Sequence, residues 1–213
     1  MDIKVAFVFD KKNTWIFDFF NSHKFDMENY SFSYLFDMSE VCDFDIVILL
    51  GQTKIFPNDF LKRNKLNLVV HESDLPRGKG FAPVQWQLLK GSSEITVSLI
   101  EAAEKFDSGD ILNQSTIKFD GTELYDEIRE KQATGSIEII SDFLKSYPNI
   151  SRTKQTGSES FYPKRTLDDG ELDISKTIEE NFNLLRVGNN DDWPSFFYHK
   201  GVKYILKIFK EKK

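Results

Sequence analysis

The sequence predicts an α/β fold: a mostly parallel sheet with helices on both faces, followed by a small C-terminal α+β extension. Three observations predict it. Apolar runs rich in β-branched residues recur at 3–9, 45–51 and 66–71, continuous rather than alternating, as in strands covered on both faces. Segments of helical spacing fall between such runs, and that alternation indicates βαβ units of a Rossmann-like sheet. Beyond Pro148 the alternation stops and a different texture begins. With 213 residues, 40% hydrophobic and 14% aromatic, the chain can bury one large core without disulfide staples.

Each element has its own warrant. Ile3–Phe9 reads as a buried strand, broken over 10–13, and Trp15 opens a helix. Residues 28–41 are rich in Phe and Tyr and carry no assignment. Asp45–Gly51 is a second strand ending at a glycine. Pro57–Arg63 is a short helix opened by proline, and Leu66–His71 is a third strand. Pro83–Gly91 is a helix with proline at its first position and glycine at its cap. Strands follow at Ile95–Ala102 and Ile111–Lys118. Thr122 is expected to cap a long helix over about 123–145, with Leu124, Ile128, Ile137, Ile140 and Leu144 on its apolar stripe. Thr177 and Glu180 form a capping box for a helix ending at Gly188. Phe196–His199 and Val202–Phe209 read as two strands joined at Lys200–Gly201. The domain plan is 1–148, a polar linker at 149–160, and an extension at 161–213 with one helix and one hairpin.

Composition excludes several classes. No apolar run approaches the roughly 18 residues of a membrane helix, so no membrane partner is expected. Met1 leads directly into a strand, and Cys42 is the single cysteine, which fits a reducing cytoplasm. A net charge of −6 argues against a general nucleic-acid binder. Charge is uneven, however. Residues 61–80 hold five bases (Lys62, Arg63, Lys65, Arg77, Lys79) against Glu72 and Asp74, a local field that favours an anionic ligand. The six lysines of the last 14 residues read as a frayed, solvated terminus.

The densest unusual stretch is Val69-Val-His71-Glu-Ser73-Asp-Leu-Pro76-Arg-Gly78-Lys-Gly80-Phe-Ala-Pro83. It sets a histidine at the carboxyl end of a strand, where open α/β sheets bind ligands, and follows it with a glycine-rich turn into a helix. A zinc helix would need a second histidine where Leu75 stands, so no metal is expected. Glu104-Lys-Phe-Asp107-Ser-Gly109-Asp110 follows the strand ending near Ala102 and can bring a carboxylate to the histidine, or can serve only as an Asp-Ser-Gly turn.

Together these stretches resemble the formyltransferases that use 10-formyltetrahydrofolate. The residues carrying the resemblance are His-x-Ser-x-Leu-Pro-x-x-x-Gly-x-x-Pro-x-x-Trp at 71–86, Asp-Ser-Gly-Asp-Ile at 107–111, and Phe161-Tyr-Pro-Lys-Arg-Thr166 with Asp169-Gly170 and Leu172-Asp173. The wording of 71–80 is most similar to nucleotide-sugar N-formyltransferases of the pseudaminic-acid-pathway type and to the formylation domain of linear gramicidin synthetase.

The resemblance implies a cytoplasmic enzyme that moves a formyl group to the amine of a nucleotide-linked amino sugar for bacterial surface polysaccharide. His71 and Asp107 match its catalytic histidine and aspartate. Its oxyanion-binding asparagine falls on Val69, so Ser73, a backbone N–H or protonated His71 becomes the expected substitute; Asn67, about 13 Å from His71 along the strand, is too far. Lys54, Ile55 and Phe56 match one pterin loop, and Glu104, Lys105 and Phe106 the other. Arg77, Lys79, Lys164 and Arg165 are candidates for a substrate diphosphate. A homodimer is compatible with this reading. The alternatives are a methionyl-tRNA formyltransferase-like enzyme and a catalytically inactive folate-binding module. The length is expected to leave no room for a further module.

Overall fold

The computed structural model describes residues 2–11 and 13–211. Lys12, within the break after the first strand, and Lys212 and Lys213 of the expected frayed terminus lie outside the described residues.

Six strands form one sheet in the order β2-β1-β3-β4-β6-β7: β1 Ile3–Phe9, β2 Tyr30–Leu35, β3 Ile46–Leu50, β4 Leu66–His71, β6 Glu94–Glu101 and β7 Ile111–Lys118. The first four in that order pair in parallel; β6 runs antiparallel to both β4 and β7. Strand β3 is buried at all five residues because helices cover both faces, which explains its unbroken apolar run. On the larger face pack α1 (Phe17–Ser22), α3 (Pro83–Leu89) and α4 (Tyr125–Ser146), around Phe7, Phe20, Ile48, Leu88 and Ile140. On the other face α2 (Asn58–Leu61) contributes Phe60 against Val8, Val47 and Leu49.

The unassigned stretch 28–41 supplies the edge strand β2. Its alternation Tyr30-Ser-Phe32-Ser-Tyr34 puts the aromatics on one face, where Phe32 and Tyr34 sit 5.8 and 5.3 Å from the Phe7 ring. Helix α4 starts later than expected. Thr122 is not its cap: both its N–H and its hydroxyl donate to the Asp120 carboxylate in a turn. The helix begins after Leu124, whose N–H donates to Glu127, and its buried stripe also includes Ile139 and Phe143.

The segment 149–160 is not a free linker. Thr153 exchanges two backbone hydrogen bonds of 2.8 Å with Ile111, and residues 159–162 run beside the turn 78–81. There β8 (Phe161–Tyr162) pairs in parallel with β5 (Lys79–Gly80). Helix α5 (Ile178–Val187) begins at the Thr177–Glu180 capping box and ends at Gly188. Strands β9 (Ser195–His199) and β10 (Val202–Leu206) form a hairpin closed by Lys200 and Gly201 at φ 51° and 79°, left-handed values suited to a two-residue turn. Val187 reaches the main core, and the buried Arg186 bonds Glu123 at 3.1 Å, so α5 is seated on the sheet domain.

Candidate active site

His71 ends β4 with 5% of its surface exposed. The following turn folds back over it, and its Nε2 lies 2.8 Å from the Gly78 carbonyl oxygen. A carbonyl only accepts, so Nε2 carries a proton, and in the neutral ring Nδ1 keeps the lone pair. The turn needs glycines for contact as well as for φ: a Cβ on Gly78 would stand 2.8 Å from the Tyr162 ring, and one on Gly80 2.5 Å from the Tyr162 carbonyl oxygen.

Asp107 arrives by an unexpected route. Because β6 is antiparallel to β4, with Leu68 opposite Glu101 and His71 opposite Ser98, the end of β6 lies three residues below His71. At about 3.3 Å per residue, the loop must climb roughly 10 Å to meet the imidazole. It does so through a tight crossing at Gly109, where a Cβ would strike the Glu101 carbonyl oxygen, and through Asp107 itself at φ 48°. Asp107 Oδ1 then lies 3.5 Å from His71 Nδ1, and Oδ2 accepts the Gly80 N–H at 2.9 Å. The gap to Nδ1 exceeds a hydrogen bond, but a proton arriving there would meet a charge-assisted acceptor.

The pair faces a cavity of about 200 Å³ whose walls include Leu49, Leu50, Val69, Val70, Phe81 and Phe106, with backbone from Gly51 and Gln52. In the same wall Gln85 is 4% exposed and its Nε2 has no hydrogen-bond partner. Apolar walls with an unpartnered buried amide suit a flat heterocycle with polar edges, such as a pterin. A second cavity of about 480 Å³ shares Asn13, Trp15, Phe81, Ala82, Gln85 and Arg129 with the first. It adds Tyr125, Lys164, Arg165 and Trp193. Arg129 lies over the Trp15 ring at 4.3 Å and donates to Gln132 at 2.9 Å; Gln132 donates to the buried Glu72 at 2.6 Å. Burial lowers the Arg165 pKa below arginine's ordinary range, Asp169 opposes this, and Arg129 adds to it. The Arg165 Nε is buried without a partner.

The expected site residues separate into groups. His71, Asp107 and Phe106 line the first cavity, and Lys164 and Arg165 the second. Ser73 does not line the first cavity: it lies behind the turn against Gly78, its hydroxyl buried without a partner. Lys54 and Ile55 are exposed and Phe56 is buried in the smaller core, so Gly51, Gln52 and Thr53 form that side of the cavity instead. Glu104 and Lys105 line a separate surface cavity, with Glu104 bonded to Asn58. Arg77 is exposed and paired with Asp74. Lys79 is buried to 3% and bonded to Glu159 at 2.6 Å, which neutralises it. Val69 does line the cavity, while the Asn67 amide turns away to donate to the Leu61 carbonyl at 2.8 Å. Gln85, Arg129, Gln132 and Trp15 were not singled out from the sequence. Gln85 lies inside the 71–86 motif, but Arg129 and Gln132 reach the site only because α4 packs across the sheet.

Among the described residues, no group of three or more His, Cys, Asp or Glu could hold a metal ion, and no helix is long and apolar enough to cross a membrane.

Comparison with known proteins adds the following. The family model described as "Formyl transferase" matches residues 5–144. A methionyl-tRNA formyltransferase from Clostridioides difficile is 28% identical over 172 residues, 79% of this chain and 55% of the relative. The chain thus spans about half the length of the curated relatives it matches. Solved structures that share its fold include the following three. A methionyl-tRNA formyltransferase from Clostridium thermocellum gives a TM-score of 0.78 at 17% identity, covering 99% of this chain and 94% of that one. A sugar N-formyltransferase from Shewanella sp FDAARGOS_354 gives 0.71 at 14%, covering 99% of both chains. HypX from Aquifex aeolicus, in complex with tetrahydrofolic acid, gives 0.73 at 16%, covering 98% of this chain and 38% of that one.

Proposed function

The chain belongs to the formyl transferase family, and from that premise we propose that it transfers a formyl group from 10-formyltetrahydrofolate to the amine of a nucleotide-linked amino sugar. The observation that carries the reading is the His71–Asp107 pair at a cavity that opens into a cationic, aromatic one. The first cavity suits the pterin, held between Phe106 and the backbone of 51–53. 10-Formyltetrahydrofolate would supply the formyl carbon in an activated state. His71 takes a proton from the attacking amine at Nδ1, with Asp107 Oδ1 beside it to hold the charge. Gln85 Nε2 is the amide available to the developing oxyanion where Val69 offers none. Ser73 keeps no direct part in this scheme.

The second cavity suits the nucleotide diphosphate. Arg129, Lys164 and Arg165 supply positive charge, and Trp15, Tyr125 and Trp193 supply flat surfaces for a base. Arg165, buried and short of a partner at Nε, would gain most from an anion. The wording of 71–80 supports the pseudaminic-acid type among such sugars, with a cytoplasmic location. A thermal-shift screen of nucleotide sugars in the presence of a folate analogue, followed by formyl-transfer assays on the hits, tests the reading. No formylated sugar from any hit would sink it. A folded His71→Ala or Asp107→Ala protein is expected to lose at least a hundredfold in turnover.

One observation favours a second reading. The 28% identity to a methionyl-tRNA formyltransferase makes initiator tRNA the competing acceptor. A net charge of −6 weighs against it. A gel shift of initiator tRNA at physiological salt, with formylation of its methionine, would establish it in place of the sugar.

A further inference from the structure

The segment 149–160, polar and without periodicity, bonds Asp107 directly and reaches His71 through Gly78. Gln155 Nε2 donates to the Asp107 carbonyl oxygen and to the Gly109 carbonyl oxygen, each at 2.8 Å. Both N–H groups of the amide are thereby used, while Oε1 is buried without a partner. The opposite amide orientation would set that oxygen against two carbonyls, so the two donated bonds determine how the side chain sits. Asp107 is a left-handed residue other than glycine, φ 48°, and such a conformation persists only where neighbours hold it. The bonds straddle that residue and the close crossing at Gly109.

Gln155 itself is anchored on both sides. Two residues earlier, Thr153 and Ile111 exchange backbone bonds. Past it, Glu159 bonds the buried Lys79, and Ser160 Oγ accepts the N–H of Gly78, whose carbonyl receives His71. We infer that Gln155 is a positioning residue for the His71–Asp107 pair: it fixes the left-handed turn that aims the Asp107 carboxylate at His71 Nδ1. The kinetic part of this inference rests on the proposed function; the structural part does not.

The test compares the full chain with Gln155→Leu and Gln155→Glu. The first removes both donors at similar volume. The second keeps the shape and, ionised at pH 8, sets a carboxylate against two carbonyls. Nitrogen-15 NMR of the His71 ring, assigned by loss of its signals in His71→Gln, reads the surroundings of Nδ1 and Nε2 without substrate. Both variants are expected to move the Nδ1 signal while the unfolding midpoint stays within a few degrees. With the acceptor that the unaltered chain formylates, kcat is expected to fall about 10- to 100-fold and both KM values to stay within about twofold, since small misplacements of a catalytic group cost that much. An unmoved Nδ1 signal in a folded variant, or a kcat within twofold of the parent, overturns the inference. If Gln155→Leu does not fold, Gln155→Glu decides by the same two measurements. If the unaltered chain formylates nothing, the proposed function falls, and the ring signals alone decide the role of Gln155.

Discussion

At the residue scale the site is a set of donors and acceptors, some satisfied and some not. Lys79 is the satisfied kind: its charge is buried, but Glu159 answers it, so it adds little field to the cavity. Gln85 is the unsatisfied kind. A buried amide without a partner costs stability unless a ligand completes it, and the proposed function gives it the oxyanion. Gln85→Leu is therefore expected to lower kcat by about 100-fold while leaving the fold as stable or slightly more so; steady-state kinetics beside a urea titration would check both. Turnover unchanged in Gln85→Leu would return the oxyanion to a backbone N–H. The meeting of His71 and Asp107 was legible because a strand end and the turn after a neighbouring strand can bring a histidine and a carboxylate together, while their roles came from the resemblance of 71–86 and 107–111. Arg129 and Gln155 were not. Their neighbours in sequence carry no signal, and their roles arise from contacts far along the chain: Arg129 with Trp15, and Gln155 with Asp107, 48 positions away.

At the element scale, the junction of α4 and α5 concentrates charge. Glu123, just before α4, accepts from Lys131 at 2.5 Å, from Arg186 at 3.1 Å and from the backbone of Asp120 and Gly121. Burial pushes its carboxyl up, but these hydrogen bonds outweigh burial and hold it at about 2, against 4.5 for the free group. A lowered folded-state value gives stability that is complete above the unfolded pKa and is lost as pH falls towards 2, here about 3 kcal/mol. Glu123→Gln should lose a similar amount at pH 7, leave Arg186 buried and unpaired, and lower the melting temperature by roughly 10 °C. The same variant should show a flatter stability curve between pH 4.5 and 2 in urea titrations, and an unchanged curve would refute the role. The elements themselves were mostly legible. The exceptions have physical causes: β2 alternates on an edge, where aromatics serve as well as aliphatics, and Thr122 spends its hydrogen bonds on Asp120 rather than on a helix.

At the scale of the whole molecule, the sequence reads as two parts and the structure ties them together. Val187 enters the main core, Trp86 and Tyr162 stack at 6.4 Å, and Lys210 bonds Glu127. Calorimetry of the full chain should accordingly give one unfolding transition, with van't Hoff and calorimetric enthalpies in agreement; two resolved transitions would mean that 161–213 unfolds on its own. The sequence marks Ile95–Ala102 as a strand without setting its direction, and in the sheet β6 runs antiparallel to β4. Only the paired structure reveals the climb that Asp107 makes. The pairing of Lys79–Gly80 with Phe161–Tyr162 has a consequence for how the protein is made. The sheet is complete by Lys118 and its long covering helix by Ser146. A nascent chain, synthesised from the amino end at about 5–20 residues per second, can thus bury most of its core before Gln155 and Ser160 leave the ribosome. Until they do, the Gly78 turn and the Asp107 loop lack their last partners. In order of synthesis, most partners of the core come before the last partners of the site.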